Sequence, residues 1–207
     1  DAALQTINTT LIDEPNNTVL LKLLSQVFYE TSDWQSLTQK ARTILTQTGT
    51  NPKLERFFAE AFVHQSRVFA GHTEKLKDLW EHLPSVIENE PSVLALRLES
   101  IMADGQHESS EKELRKAIPK TWNHELITLY AKLDAPDLAT LSKQVDRWLV
   151  DRPRDPNLWL AASQLAKRDE LWTQAKQFLE RSIDNKESAL AYNELGLILL
   201  VLGQEDE

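Results

Sequence analysis

The sequence has 207 residues, 41% hydrophobic and 27% charged, which is enough to bury a sizeable core as one or two compact domains or one elongated array. A net charge of −9 and a pI near 5.1 argue against a general nucleic-acid binder, whose affinity comes from Lys and Arg. The absence of Cys removes disulfides and thiolate metal sites, and only 5 Gly speak against a turn-rich β fold.

Helical periodicity begins with Val19, Leu20, Leu23, Leu24, Val27 and Phe28, followed by Asp33-Trp34 at the start of the next helix. A second stripe is Leu54, Phe57, Phe58, Ala61 and Phe62, and a third is Leu94, Leu98 and Ile101. No stretch alternates with period two for long enough to make a strand. The spacing predicts helices over Leu54–Phe69, Glu74–Leu83, Val93–Ala103, Glu111–Ile118, Asn123–Leu133 and Leu138–Val150. Three more follow, over Pro156–Arg168, Leu171–Ile183 and Lys186–Leu202. Asn51-Pro52 and Asp155-Pro156 each put a side-chain acceptor at the N-cap and a proline at the first helical position. Glu90-Pro91 and Ala135-Pro136 are weaker starts, and Gly49, Gly71 and Gly105 fall near helix ends. The total is about eleven or twelve helices joined by short turns.

The helices repeat. Trp159, Ala175 and Leu179 take the large, small and large positions of a helix pair, and Tyr192-Asn193-Glu194-Leu195-Gly196 starts the next, 33 residues after Trp159. Trp34 and Trp172 stand 138 residues apart, close to four periods. Leu21, Leu24 and Phe28 form the core of an earlier, degenerate copy. The pattern matches the tetratricopeptide repeat of about 34 residues. The expected architecture is therefore an all-α, tetratricopeptide-like right-handed α-solenoid of stacked antiparallel helix pairs. Residues 1–207 read as a single helical-repeat domain, clearest at 17–49, 156–185 and 186–207, the last incomplete. The alternative is a helical bundle without a repeat. Gly196 is expected where two helices approach closely. The helix ending at Leu202 is apolar on nearly every side and is expected to be covered, by a further helix or by self-association with another copy. The chain begins at Asp1 and ends in the polar run Gln204–Glu207, and is expected to be a piece of a longer protein.

Motifs for chemistry are thin, and no catalytic residue or metal ligand is assigned. His124-Glu125-Leu126-Ile127-Thr128 lacks the second His of the zinc-protease motif. The five histidines, His64, His72, His82, His107 and His124, include no pair at i, i+3 or i+4. They are ordinary surface or boundary residues, with a heme or porphyrin ligand among them the less favoured reading. Ser109 and Lys112 have Ser-x-x-Lys spacing but belong to a polar helix start. Asn8 and Asn16 begin glycosylation sequons that matter only in a secretory pathway. Trp159 and Trp172 are assigned mainly to packing, and Trp122, after Pro119 and at a helix entry, is the least explained. What such repeats offer is a groove lined by the first helix of each pair. Its residues would be Lys22, Gln26, Tyr29 and Glu30 in the first copy, and Asn157, Leu160, Gln164, Lys167 and Arg168 in the best-read repeat. Lys167 and Arg168 would meet a carboxylate or phosphate, or else simply complement the helix end.

The run Leu20-Leu21-Lys22-Leu23-Leu24-Ser25-Gln26-Val27-Phe28-Tyr29-Glu30-Thr31-Ser32-Asp33-Trp34 resembles the soluble part of the HemY-type tetratricopeptide proteins associated with bacterial protoheme biosynthesis. So do Arg152-Pro153-Arg154-Asp155-Pro156-Asn157-Leu158-Trp159 and Leu171-Trp172-Thr173-Gln174-Ala175. The resemblance implies a non-enzymatic scaffold for a late step of porphyrin and heme biosynthesis. It also implies attachment to the bacterial inner membrane by N-terminal helices outside this sequence, with the repeats on the cytoplasmic side. Its partners would be proteins, heme-pathway enzymes among them. The residues alone leave open a general assembly factor or peptide receptor unrelated to heme, and a porphyrin-binding protein.

Overall fold

The structure is a computed structural model and describes residues 2–134 and 137–203. Among the described residues there are twelve α-helices and no strand. They are α1 (Ala2–Asp13), α2 (Thr18–Glu30), α3 (Trp34–Thr48), α4 (Pro52–Val68), α5 (Thr73–Glu81) and α6 (Pro91–Ala103). Then come α7 (His107–Thr121), α8 (His124–Ala131), α9 (Leu138–Asp151), α10 (Pro156–Arg168), α11 (Trp172–Asn185) and α12 (Ala189–Leu202). The chain divides into two units, Asp1–Ser100 and Ile101–Glu207, with the boundary inside α6. Ala135-Pro136 and residues 204–207 of the last expected repeat lie outside the described residues.

Capping chemistry sets the helix starts. Asn51 accepts from the Leu54 N–H at 3.0 Å, and Asp155 accepts from the Asn157 and Leu158 N–H groups, each just before a proline that has no N–H to lose. Asn17, Asp33, Asn123, Asp137 and Ser188 cap α2, α3, α8, α9 and α12 in the same way. The turns also repeat. Ser32, Gly105 and Glu170 all have positive φ, near 57°, 80° and 58°. Past each, an N–H reaches back five residues: Asp33 to the Phe28 carbonyl, Gln106 to Ile101 and Leu171 to Ala166. This is one helix-terminating motif used three times.

In the first unit α3 packs on both α2 and α4, and α2 also touches α4. Phe58 and Phe62 of α4 are fully buried with Leu24 of α2 and with Leu37, Ala41 and Ile44 of α3. In the second unit α10 packs on α11, and also on α8 and α9, while α11 packs on α12. Small residues permit this: Ala161, Ala162, Ser163 and Ala166 of α10 are all buried, and Ala175 of α11 is fully enclosed. Helices thus pack on their neighbours in sequence and on the next but one, consistent with a helical repeat.

Five expectations need correction. In the first stripe Val19 and Leu23 are exposed, because the buried face of α2 runs through Leu21, Leu24 and Phe28. Leu160, expected to face a groove, is buried against the α11 and α12 cluster. The seventh helix does not stop before Pro119 but continues to Thr121, with Pro119 inside its last turn. Trp122 is not at a helix start; it is the left-handed C-cap of α7, its N–H bonded to the Ile118 carbonyl at 2.7 Å and its ring under Arg152. Gly196 is exposed, and a Cβ added there would meet nothing within 4 Å. It lies on the side of α12 away from α11, so no close helix approach requires it.

Candidate functional site

The residues expected in a groove fall in the two units. Gln26 and Tyr29 are one turn apart on the polar side of α2, with Lys22 exposed a further turn back. The helix that meets them is α4. Its residues Lys53, Arg56, Glu60, His64 and Arg67 recur at three- and four-residue spacing and are all exposed. The opposite side of α4, through Phe58 and Phe62, is the core.

Contacts between the two helices are specific. Tyr29 donates to the Glu60 carboxylate at 2.5 Å. Its ring stacks on Phe57, with centroids 4.0 Å apart and planes 15° from parallel, and meets Trp34 edge-on at 5.6 Å. Trp34 in turn lies 5.2 Å from the His64 ring. Lys53 donates to the Gln26 side-chain oxygen Oε1 at 3.0 Å, and Gln26 donates through Nε2 to Glu30 at 2.7 Å. Lys53 and Arg56 lie 5.5 and 5.8 Å from the Phe57 ring centre. The bond to Glu60 raises the Tyr29 phenol above its ordinary range, with burial and the Glu60 charge adding to it. Beside this cluster a cleft of about 490 Å³ is lined by Trp34, Arg56, Glu60, His64 and Arg67, and by Ser92 at the start of α6. Aromatic faces and paired cations and carboxylates suit a polypeptide carrying both apolar and acidic side chains.

The second set is arranged differently. Asn157 and Gln164 are half-buried on α10. Lys167 is bound to Glu194 of α12, both side chains well shielded from solvent. Arg168 donates to the Ala131 and Leu133 carbonyls at 2.8 Å each, with Asp134 3.8 Å away. Both cations are therefore engaged within the chain. Only the first set forms a site with its neighbours. Of the residues that complete it, His64 was read as a surface or boundary histidine, and Lys53, Arg56, Glu60 and Arg67 were missed at the level of sequence. Their polar periodicity was legible, but the apolar stripe on the same helix drew the reading to the core. Among the described residues no group of three or more His, Asp or Glu side chains converges on a point, and no helix is long and apolar enough to cross a membrane.

The chain matches no protein-family model and no curated protein.

Proposed function

We propose that this protein is a non-enzymatic interaction scaffold, a right-handed tetratricopeptide-like solenoid that holds a segment of a partner protein on the polar side of α2 and α4. The observation that carries this is the cluster of Tyr29, Trp34, Phe57 and His64 bordered by Lys53, Arg56 and Arg67. It combines the half-exposed aromatic faces of Tyr29 and Trp34, backed by the buried Phe57, with charge, a composition enriched among the residues that dominate binding energy at protein interfaces. The partners are enzymes of a late step in porphyrin and heme biosynthesis, and the setting is the cytoplasmic side of a bacterial inner membrane. This part rests on the HemY-like runs Leu20–Trp34, Arg152–Trp159 and Leu171–Ala175 alone.

Affinity capture on the intact protein, followed by mass spectrometry, tests both parts. Tetrapyrrole enzymes recovered with the native protein and lost with Arg56→Glu support the proposal. Recovery of unrelated chain segments, lost with the same variant, keeps the groove and replaces the heme context with a general peptide receptor. Unchanged capture by Arg56→Glu removes the groove. A second reading, porphyrin binding, is favoured by the exposed His64 imidazole beside Trp34 at the cleft. A hemin titration decides it: a Soret shift lost in His64→Ala establishes binding, and no shift removes it.

A further inference from the structure

The other side of α4 carries a second, unrelated cleft. It lies between α3, the end of α4 and α5, and its volume is about 770 Å³. Its apolar part is Phe69 and Leu79. Thr38 and Gln65 also line it, 4% and 8% exposed. The Thr38 hydroxyl donates to the Gln35 carbonyl at 3.0 Å, which leaves its oxygen free to accept. The Gln65 side-chain amide makes no hydrogen bond among the described residues, although nine-tenths of the residue is buried. Its amide atoms are not among those sealed from solvent, so the group is open to the cleft and free to pair with what enters it. Gln35 and Gln39, one turn apart on α3, add two more amides to the same wall.

The opposite rim is ionic. Glu74 and Asp78 stand one turn apart on α5. Between them Lys75 reaches over the Phe69 ring at 5.5 Å. His82 turns its Nδ1 to the Asp78 backbone carbonyl at 2.7 Å, and the Asp78 carboxylate stands at the rim 3.7 Å from the same nitrogen. Two carboxylates against one ammonium leave this rim net acidic, in a chain that is acidic overall.

We infer that this cleft binds a short extended peptide segment in which an apolar residue stands next to a basic one. The peptide groups pair with the glutamine amides, which donate and accept in the same plane as a peptide bond does. The apolar side chain covers Phe69 and Leu79, and the basic side chain meets Glu74 and Asp78. The cleft lies away from Arg56 and His64, so this inference stands independently of the groove on α2 and α4.

Blocked tetrapeptide pools with apolar residues around a fixed Arg, titrated into the full chain and followed by NMR, test it. A matching pool has Glu in place of Arg. The side-chain amide signals of Gln35, Gln39 and Gln65 are expected to shift with the Arg pool. Gln65→Leu is expected to weaken binding about tenfold without lowering the melting temperature. Asp78→Lys is expected to abolish the preference for Arg over Glu. Gln39→Ala, at an exposed position, gives the same test should Gln65→Leu fold poorly. Glutamine signals unmoved by either pool, or affinity unchanged by both glutamine substitutions, would overturn the inference.

Discussion

Arg42 and Arg168 solve the same problem in different units. Arg42 donates to the carbonyls of Glu81 and Leu83, at 2.8 and 3.3 Å, and Arg168 to those of Ala131 and Leu133. Each pair marks the end of a short helix, α5 or α8, where the last carbonyls have no partner within the helix. A guanidinium spans two such oxygens and opposes the negative end of the helix dipole. Arg168→Met should therefore cost about 1–3 kcal/mol in urea denaturation, since charge-assisted bonds to otherwise unpaired carbonyls are lost. Unchanged stability would show that Arg168 is available to a ligand, as its place near a helix end first suggested. Tyr130 sets a second expectation. It is fully buried, meets Trp148 edge-on and donates to Glu111 at 3.1 Å. Burial first, then the Glu111 charge, pushes its phenol far above the ordinary range. The unfolded chain gives up this proton near pH ~10 while the folded chain keeps it, so the folded state binds more protons above that pH. The stabilisation is complete below pH ~10 and falls as the pH rises past it. Urea midpoints between pH ~8 and ~11 should drop for the native protein and fall less steeply for Tyr130→Phe. Equal slopes would assign the alkaline loss to other groups.

At the scale of elements, two opposite substitutions should act in the same direction. Glu170 ends α10 with φ near 58°, a conformation that costs a side-chain-bearing residue and suits glycine. Gly196 sits inside α12 at ordinary helical φ, where a Cβ would meet nothing. Glu170→Gly and Gly196→Ala are each expected to stabilise the folded chain by about 0.5–1 kcal/mol in dilute solution, read from thermal unfolding. A loss on Gly196→Ala would mean that something packs there after all. These positions also show what was legible. The caps at Asn51 and Asp155, the glycines at 49, 71 and 105 and the bounds of α10 follow from local chemistry written in a few adjacent residues. The faces were harder. Val19 and Leu23 share a helix with Leu21 and Leu24, and periodicity alone does not say which of two overlapping apolar stripes meets α3. The site was half visible for a related reason. Gln26 and Tyr29 were found on α2, but Lys53, Arg56 and Glu60 belong to another helix, and only packing shows that the two sets meet.

Across the whole molecule, Ile12, Val68, Val86 and Val150 are exposed large apolar residues far apart in the chain, while Val19 and Leu23 stand one turn apart on α2. α12 differs. Ala191 and Ile198 face the α11 side, with Leu195 and Leu202 half-buried against the same cluster. Leu190, Tyr192, Leu197, Leu200 and Val201 are exposed by 49–58%. Tyr192, Gly196 and Leu200 follow at four-residue spacing along one shallow cleft, with open space above the glycine. The sole charge on α12 is Glu194, and it is bound to Lys167. In a chain of net charge −9, Glu187 and Asp184 act on Tyr192 at one end of this patch, and Leu197, Leu200 and Val201 beyond it carry no charge of their own. Each Å² of apolar area covered contributes about 25 cal/mol, and a two-fold contact covers the same patch on both copies. α12 is therefore predicted to pair with α12 of a second copy, a side chain of each filling the hollow at Gly196 of the other. Light scattering should show a mass that rises with concentration. Leu197→Gln with Leu200→Gln should abolish that rise while leaving the helical circular dichroism intact, because neither side chain belongs to the α11 cluster. Gly196→Ala, which stabilises the isolated chain, should weaken the association by filling the hollow. A protein that stays monomeric at high concentration, or a double variant that associates as strongly as the native chain, would show that α12 does not pair with itself.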